Sequence, residues 1–414
     1  MTKPLRVIDL TNGWAGPLST CLLGDFGAEV IKVESPSHMD WWRGAGLQGT
    51  TDGSKPYEQS PTFNTVNRNK YGIALELTHP RGRALFRELV RISDVLIANY
   101  PLRSLRKLGI DYQTLSAVNP RLVMVTLPAF GNNGPDSEYV GFGPTTEAMA
   151  GIAGVSGYED GQPQMLSNAI GDPGTALNTC FAALVGLFEQ ERRGEGVSID
   201  LSHVEGLLPM NAEALLDYTI NGRVQGQRGN RHPTMAPHGC YPCRGDDEWI
   251  VISVASDAQW ERFCQALGNS AWTRDKRFAT EAGRKAAEGE LDHHISTWTK
   301  EHDHHEAMEL LQNAGVAAGA ALSGPEILSD AHLAAREFLL AIDKAHAGMH
   351  LYPGFVPRFS PRASALHLPA PCFGEHNAHV FGTLLGLPTE EIAELVRERI
   401  LSAEPIFPTL SRQG

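Results

Sequence analysis

The sequence predicts an α/β protein built around a parallel, helix-covered sheet. Two observations carry this. First, residues 6 to 34 alternate in character: Arg6 to Leu10 is a short apolar strand, Gly13-Trp14-Ala15-Gly16-Pro17 a turn, Leu18 to Phe26 a helix and Ala28 to Val33 a second strand. Pro17 suits a first helical turn and Gly27 a helix end, so the segment is a βαβ unit, which requires parallel strands. Second, the alternation continues, with strands at Val95 to Asn99 and Leu122 to Leu127 separated by helical stretches such as Arg81 to Ile92. Repeated strand-helix alternation buries a parallel sheet between helical layers.

Farther along, Gly171-Asp172-Pro173 opens a long helix with apolar residues at Ala176, Leu177, Cys180, Phe181, Leu184, Val185 and Phe188. It closes at Glu191-Arg192-Arg193-Gly194, where cations and a glycine suit a helix C-terminus. A strand at Val197 to Leu201 leads into a helix ending near Asn221-Gly222, and the polar stretch Gly226 to Pro237 reads as the passage to a second domain. That domain starts with a strand at Trp249 to Val254 and is mostly helical from Ala258 to Ala321, with a turn at Gly315 to Gly319. The last part reads as loop-rich before a helix from Thr389 to Arg399.

The chain has 414 residues and a net charge of −13, so no global positive field is available for nucleic acid or an anionic membrane. An anionic ligand needs a local basic pocket. The start of the chain has no long apolar run, and the most apolar stretch, Ala176 to Phe188, is interrupted by Asn178 and Thr179, so neither a secretory signal nor a membrane span is expected. Six dispersed cysteines then read as free thiols, and the expected location is cytoplasmic.

Several clusters are candidates for chemistry. The first βα turn, with Glu34 ending the second strand, has the position of a dinucleotide site, yet its Gly-Trp-Ala-Gly puts a bulky Trp14 where pyrophosphate must approach closely. Arg103, Arg106 and Lys107 follow the strand carrying Asn99, where parallel sheets bind phosphates, against the alternative of a solvated helix face. Arg68 and Lys70 form a second cationic pair. Cys240-Tyr241-Pro242-Cys243 lacks a second pair, and His293, His294, His302, His304 and His305 read as a solvated helical surface, so no metal site is expected.

Asp172, followed by Pro173, reads most simply as a helix N-cap. A nucleophile is compatible with that position, since a helix start favours the anion, and a carboxylate with an ordinary pKa of about 4 needs no general base.

The landmarks together resemble the family III CoA transferases (the CaiB/BaiF family), which include formyl-CoA transferase, carnitine enzymes and the α-methylacyl-CoA racemases. The resemblance covers essentially the whole chain. It rests on Ala15-Gly16-Pro17, Gly27 to Glu34, Asn67 to Lys70, Asn119-Pro120-Arg121, Phe130-Gly131 with Gly134-Pro135, Gly171-Asp172, Gly229 to Arg231, Asp275 to Phe278 and Gly374 to His376, in that order.

The resemblance implies that Asp172 attacks an acyl-CoA thioester to form a mixed anhydride and then an aspartyl-CoA thioester, which passes CoA to an acceptor carboxylate. It implies that Trp14 and Ala15 line the site with the loop around Gly131 and Gly134, and that Asn99, Tyr100, Arg103, Arg106, Lys107, Arg68 and Lys70 contact CoA, which is a substrate, with no tightly bound cofactor. It further implies a Rossmann-like domain built from both chain ends (1–225 and 326–414), a smaller α+β domain (226–325) and an interlocked homodimer.

Departures from the family pattern bear on these expectations. Asn99-Tyr100-Pro101-Leu102-Arg103 stands where the family often has Asn-Phe-Arg-Pro-Gly, and Lys107 where an arginine is usual, which weakens a bidentate phosphate contact. Gly141-Phe142-Gly143 occupies the Gly-His-Asp segment of the racemases, so the racemase alternative lacks its histidine base. Arg231 to Gly239 has no run of consecutive glycines, which disfavours oxalate and formate as substrates. Trp14, Trp41 and Trp42 hint at an apolar or cationic acyl group, against the alternative of core packing.

Overall fold

The computed structural model describes residues 4–44, 55–166, 168–360 and 368–406. The chain divides into two compact units, one of residues 1–152, 165–221 and 333–414, the other of 153–164 and 222–332. Residues 153–164 thus cluster with the second unit, although sequence alone reads 1–225 as one unbroken segment.

Among the described residues, the main sheet of the first unit has six strands: β1 (Arg6–Leu10), β2 (Glu29–Glu34), β3 (Lys70–Ala74), β4 (Val95–Ala98), β5 (Val123–Thr126) and β6 (Val197–Asp200). Their order is β3-β2-β1-β4-β5-β6 and every neighbouring pair is parallel. Residue alternation feeds two cores. Ile8, Leu10, Ile31, Val33, Leu96 and Ala98 face one side, while Val7, Val30, Val95, Ile97, Val123 and Val125 face the other. The central strands are buried on both faces, which favours the apolar runs of β4 (Val-Leu-Ile-Ala) and β5 (Val-Met-Val-Thr).

The chain's end returns to the first of these cores through Val380, Phe381, Leu395, Ile400 and Leu401. The long helix Gly171–Arg193 covers the second core through Cys180 and Ala183. It lies close to the sheet at Gly186, where a Cβ would come within 2.7 Å of Val123 Cγ1.

Two elements depart from the sequence reading. Lys70 to Ala74 forms strand β3, and Leu339–Lys344 (β10) pairs with Gly348–Pro353 (β11) as an antiparallel hairpin in a region to which the sequence reading assigns no element.

The second unit has a three-stranded antiparallel sheet of β7 (His238–Pro242), β8 (Trp249–Ser253) and β9 (Ala317–Ala320). Its helices Asp257–Ala266, Glu288–Thr299 and His304–Asn313 bury Trp260, Phe263, Leu291, Ile295 and Leu311 against Ile250 and Ile252. Among the described residues, no helix is long and apolar enough to cross a membrane.

Candidate active site

A chain of buried ion pairs sets the first βα turn. Lys70 Nζ donates to Asp9 Oδ2 (2.9 Å), to the Pro17 carbonyl (2.7 Å) and to Asn67 Oδ1 (2.8 Å). Lys32 Nζ bonds Asp40 Oδ2 (2.9 Å), and Arg43 bridges Glu34 and Glu58 while Lys344 also meets Glu58 (3.0 Å). Burial pushes the Asp9 carboxyl up, but Lys70 and Lys32 outweigh it and hold the group down at about 2. Removing one partner strands a buried charge, at a cost of about 3–5 kcal/mol.

These pairs bear on two readings. Arg68 is buried against Asp25 (2.5 Å) and Lys70 is fully buried, so neither is free to meet CoA phosphates. Glu34, the dinucleotide candidate, is likewise consumed by Arg43.

Asp40 carries the order of this network to the surface. Its Oδ1 accepts from the N–H of Gly13 (3.0 Å) and of Trp42 (3.0 Å), tying the turn to the helical segment Trp41–Gly44. Gly13 sits at φ +78°, and a Cβ there would come within 2.8 Å of the Trp41 ring. Only glycine meets both demands comfortably. Trp14 lies 5.5 Å from Trp42, Trp41 edge-on to Trp42 at 5.8 Å and to Phe142 at 6.0 Å.

These aromatics wall a cavity of about 420 Å³ that also takes in Ala15, Asn99, Tyr100, the segment Ser137–Phe142, His203 and Asp172. The loop after β4 is tied to the turn, with Asn99 Oδ1 accepting from Asn12 N–H (3.0 Å) and Asn12 Nδ2 donating to the Tyr100 hydroxyl (2.7 Å).

Asp172 stands in the first turn of the long helix. The N-cap is Ile170, and no side chain caps this helix, so Asp172 is not the cap that its sequence neighbourhood favours. Burial, then the facing Glu147 carboxylate, push the Asp172 carboxyl up to about 6, against a hydrogen bond from the Gly143 N–H. It remains mostly ionised at neutral pH, as a basic and partly desolvated anion. His203 donates Nε2–H to the Leu127 carbonyl (3.1 Å), and burial pushes its pKa down to about 4, so it is a neutral imidazole.

Thus Asp172, Trp14, Ala15, Asn99 and Tyr100 meet at one cavity, and Gly131 and Gly134 do not line it. Both glycines take left-handed backbone, at φ +83° and +89°, and the later part of their loop, Ser137–Phe142, forms the wall instead. Arg103, Arg106 and Lys107 are exposed on the helix Leu102–Leu108, Arg103 pairing with the cavity residue Glu138 (2.9 Å). Glu147 and His203 escape sequence reading, because neither belongs to a recognisable spacing.

In the second unit, His304 is not a solvated surface residue. It is 2% exposed and clamped between Glu248 (2.8 Å) and Glu326 (2.8 Å). The six cysteines are free thiols.

Comparison with known proteins decides what family this frame belongs to. Residues 3–377 match the model of CoA-transferase family III. The chain belongs to that family. It is 33% identical to the succinyl-CoA–D-citramalate CoA-transferase of Chloroflexus aurantiacus, covering 96% of this chain and 97% of the relative. It is 32% identical to the succinate–glutarate CoA-transferase of Agrobacterium fabrum, covering 92% and 94%. A solved CaiB/BaiF family protein from Brucella suis superposes with a TM-score of 0.82 at 30% identity, covering 92% of this chain and 98% of that one. As a family III member with these relatives, the protein is an enzyme of the CoA-transferase class.

Proposed function

We propose that the protein moves CoA from an acyl-CoA donor to a carboxylic acid, with Asp172 as the covalent nucleophile. The observation that carries this is the Asp172 carboxylate in a cavity of a family III chain, partly desolvated and packed against Gly143.

An Asp172 oxygen adds to the thioester carbonyl, the C–S bond breaks, and CoA leaves as thiolate, giving a mixed anhydride. The thiolate adds to the Asp172 carbonyl carbon and expels the donor acid, leaving an aspartyl-CoA thioester. The acceptor carboxylate then adds to that same carbon and expels the thiolate again. Attack of the thiolate on the acceptor's acyl carbon releases the new acyl-CoA and restores the Asp172 carboxylate. Main-chain N–H groups at the helix start favour the oxyanions in each addition. Asn99 and Tyr100 flank the CoA path, with Arg103, Arg106 and Lys107 meeting its phosphates.

The acyl group has an apolar body. Trp14, Trp41, Trp42 and Phe142 wall the cavity, and among its described lining residues there is no Lys or Arg to pair a second carboxylate. Phe142 supplies no proton carrier at the position of the racemase base, and the depressed pKa of His203 makes it a weak one, which favours transfer over epimerisation.

The working form is a homodimer. Leu177, Phe181, Leu184, Val185 and Phe188 leave an exposed apolar stripe along the long helix, suited to cover by a second copy.

The test is to incubate the protein with a panel of acyl-CoAs, starting from succinyl-CoA and apolar acyl-CoAs, trap with hydroxylamine or borohydride, and map the label by mass spectrometry. Label on Asp172 is expected. Label elsewhere, or activity retained by Asp172→Ala, overturns the mechanism.

A further inference from the structure

Glu147 is fully buried on the helix Gly143–Met149, and its carboxylate has two unlike oxygens. Oε1 accepts from the N–H of Gly171 (2.8 Å), the first residue of the long helix. Oε2 is buried and has no hydrogen-bond partner among the described residues. An unpaired buried carboxylate oxygen is costly, so its retention calls for an explanation beyond packing.

The surrounding geometry supplies one. The two helix starts touch through paired glycines: a Cβ on Gly171 would lie 3.0 Å from the Gly143 carbonyl oxygen, and a Cβ on Gly143 would lie 2.6 Å from Asp172 Oδ2. Thr146 Oγ1 donates to the same Gly143 carbonyl (2.8 Å), which closes the turn that sets Gly143 against Asp172. Asp172 is therefore held from one side by Gly143, while its own backbone turn is held by Glu147 through Gly171.

We propose that Glu147 is a positioning residue for Asp172: by accepting the Gly171 N–H it fixes the turn from which the carboxylate attacks. This rests on Asp172 being the nucleophile. Glu147 touches no lining surface of the cavity and acts only through Gly171 and through its charge. The charge is a separate effect. Among the described residues, Glu147 is the charged group that raises Asp172, and the other titratable groups lining the cavity are the neutral His203, Tyr100, Tyr139 and Glu138, which is paired with Arg103. No Lys or Arg lines the cavity among the described residues, and the Glu147 carboxylate adds to burial in keeping Asp172 basic.

The two effects separate in two variants. Glu147→Gln keeps an acceptor for Gly171 and removes the charge, whereas Glu147→Leu removes both. The readout is the single-turnover rate of Asp172 acylation as a function of pH, followed by mass spectrometry of the trapped adduct, with circular dichroism to check folding. Glu147→Gln is expected to acylate within about three-fold of wild type at its plateau, with its pH midpoint shifted down. Glu147→Leu is expected to lose about a hundred-fold in acylation, as a misplaced reacting group does, with little change in KM for acyl-CoA.

A folded Glu147→Leu that acylates at the wild-type rate overturns the proposal, and so does a Glu147→Gln as slow as the leucine variant. If the leucine variant fails to fold, Glu147→Gln decides alone: a plateau within about three-fold of wild type is expected of a retained acceptor, and a plateau lost by more overturns the proposal. Label away from Asp172 in the wild type overturns the nucleophile as well, whereas label on Asp172 with indifferent variants overturns only the role of Glu147.

Discussion

Gly143 approaches Asp172 so closely that a Cβ on the glycine would stand 2.6 Å from Asp172 Oδ2. Gly143→Ala therefore pushes the carboxylate aside without straining the backbone, because this glycine is not in the left-handed region. The expected outcome is a loss of about a hundred-fold in kcat at near-constant KM, since small displacements of reacting groups carry that penalty. Steady-state kinetics with far-ultraviolet circular dichroism checks it; unchanged kcat sinks the assignment.

Activity should follow the ionisation of Asp172. Burial and Glu147 raise its pKa to about 6, so acylation rises with pH through that value and levels off above pH 7. An ordinary carboxylate would have finished titrating near pH 5. Stopped-flow rates between pH 4.5 and 8 distinguish the two profiles.

The same raised pKa makes a stability prediction of opposite sign. The folded protein holds the proton more tightly than the unfolded chain, where the group titrates near 3.8, so the ionised form burdens the fold. That burden is absent below pH 3.8, grows as pH rises to about 6 and is constant above. Asp172→Asn should accordingly stabilise the protein at pH 8 by about 1–3 kcal/mol and leave it unchanged at pH 3.5. Paired thermal melts at the two pH values measure it, and equal shifts at both would refute the coupling.

Lys70 separates a structural from a ligand-binding role. Because its ammonium is sealed against Asp9, Lys70→Met should destabilise the fold by about 3–5 kcal/mol. Any protein that still folds should bind CoA with unchanged affinity. A selective loss of CoA affinity, read by calorimetry, would restore the ligand role.

The exposed stripe on the long helix predicts an oligomer. Phe181 is 70% exposed and Phe188 65%, and a double change to aspartate at these positions should halve the mass seen by light scattering. An unchanged mass would move the interface elsewhere on the chain.

Sequence alone determined the frame. Local hydrophobic patterning identified five of the strands that form the sheet, because each carries apolar residues in a short run bounded by turn or helix signals, a local feature that no tertiary knowledge is needed to see. Strand β3 and the hairpin of β10 and β11 escaped, since Lys70 opens the one and charged or polar residues such as Asp343, Lys344 and His350 interrupt the other. The ordered landmarks also led to the family and singled out Asp172.

Only the tertiary structure decided which charges are available. Arg68 and Lys70 look like ligand cations when read singly, but Lys70 meets its carboxylate 61 residues away and Arg68 meets Asp25 43 residues away. It alone brought Glu147 to the start of the helix that carries Asp172, and it turned an expected helix cap into a partly desolvated carboxylate facing a cavity. The physical reason is common to all of these: burial and charge pairing arise from contacts distant in sequence, whereas periodicity is local.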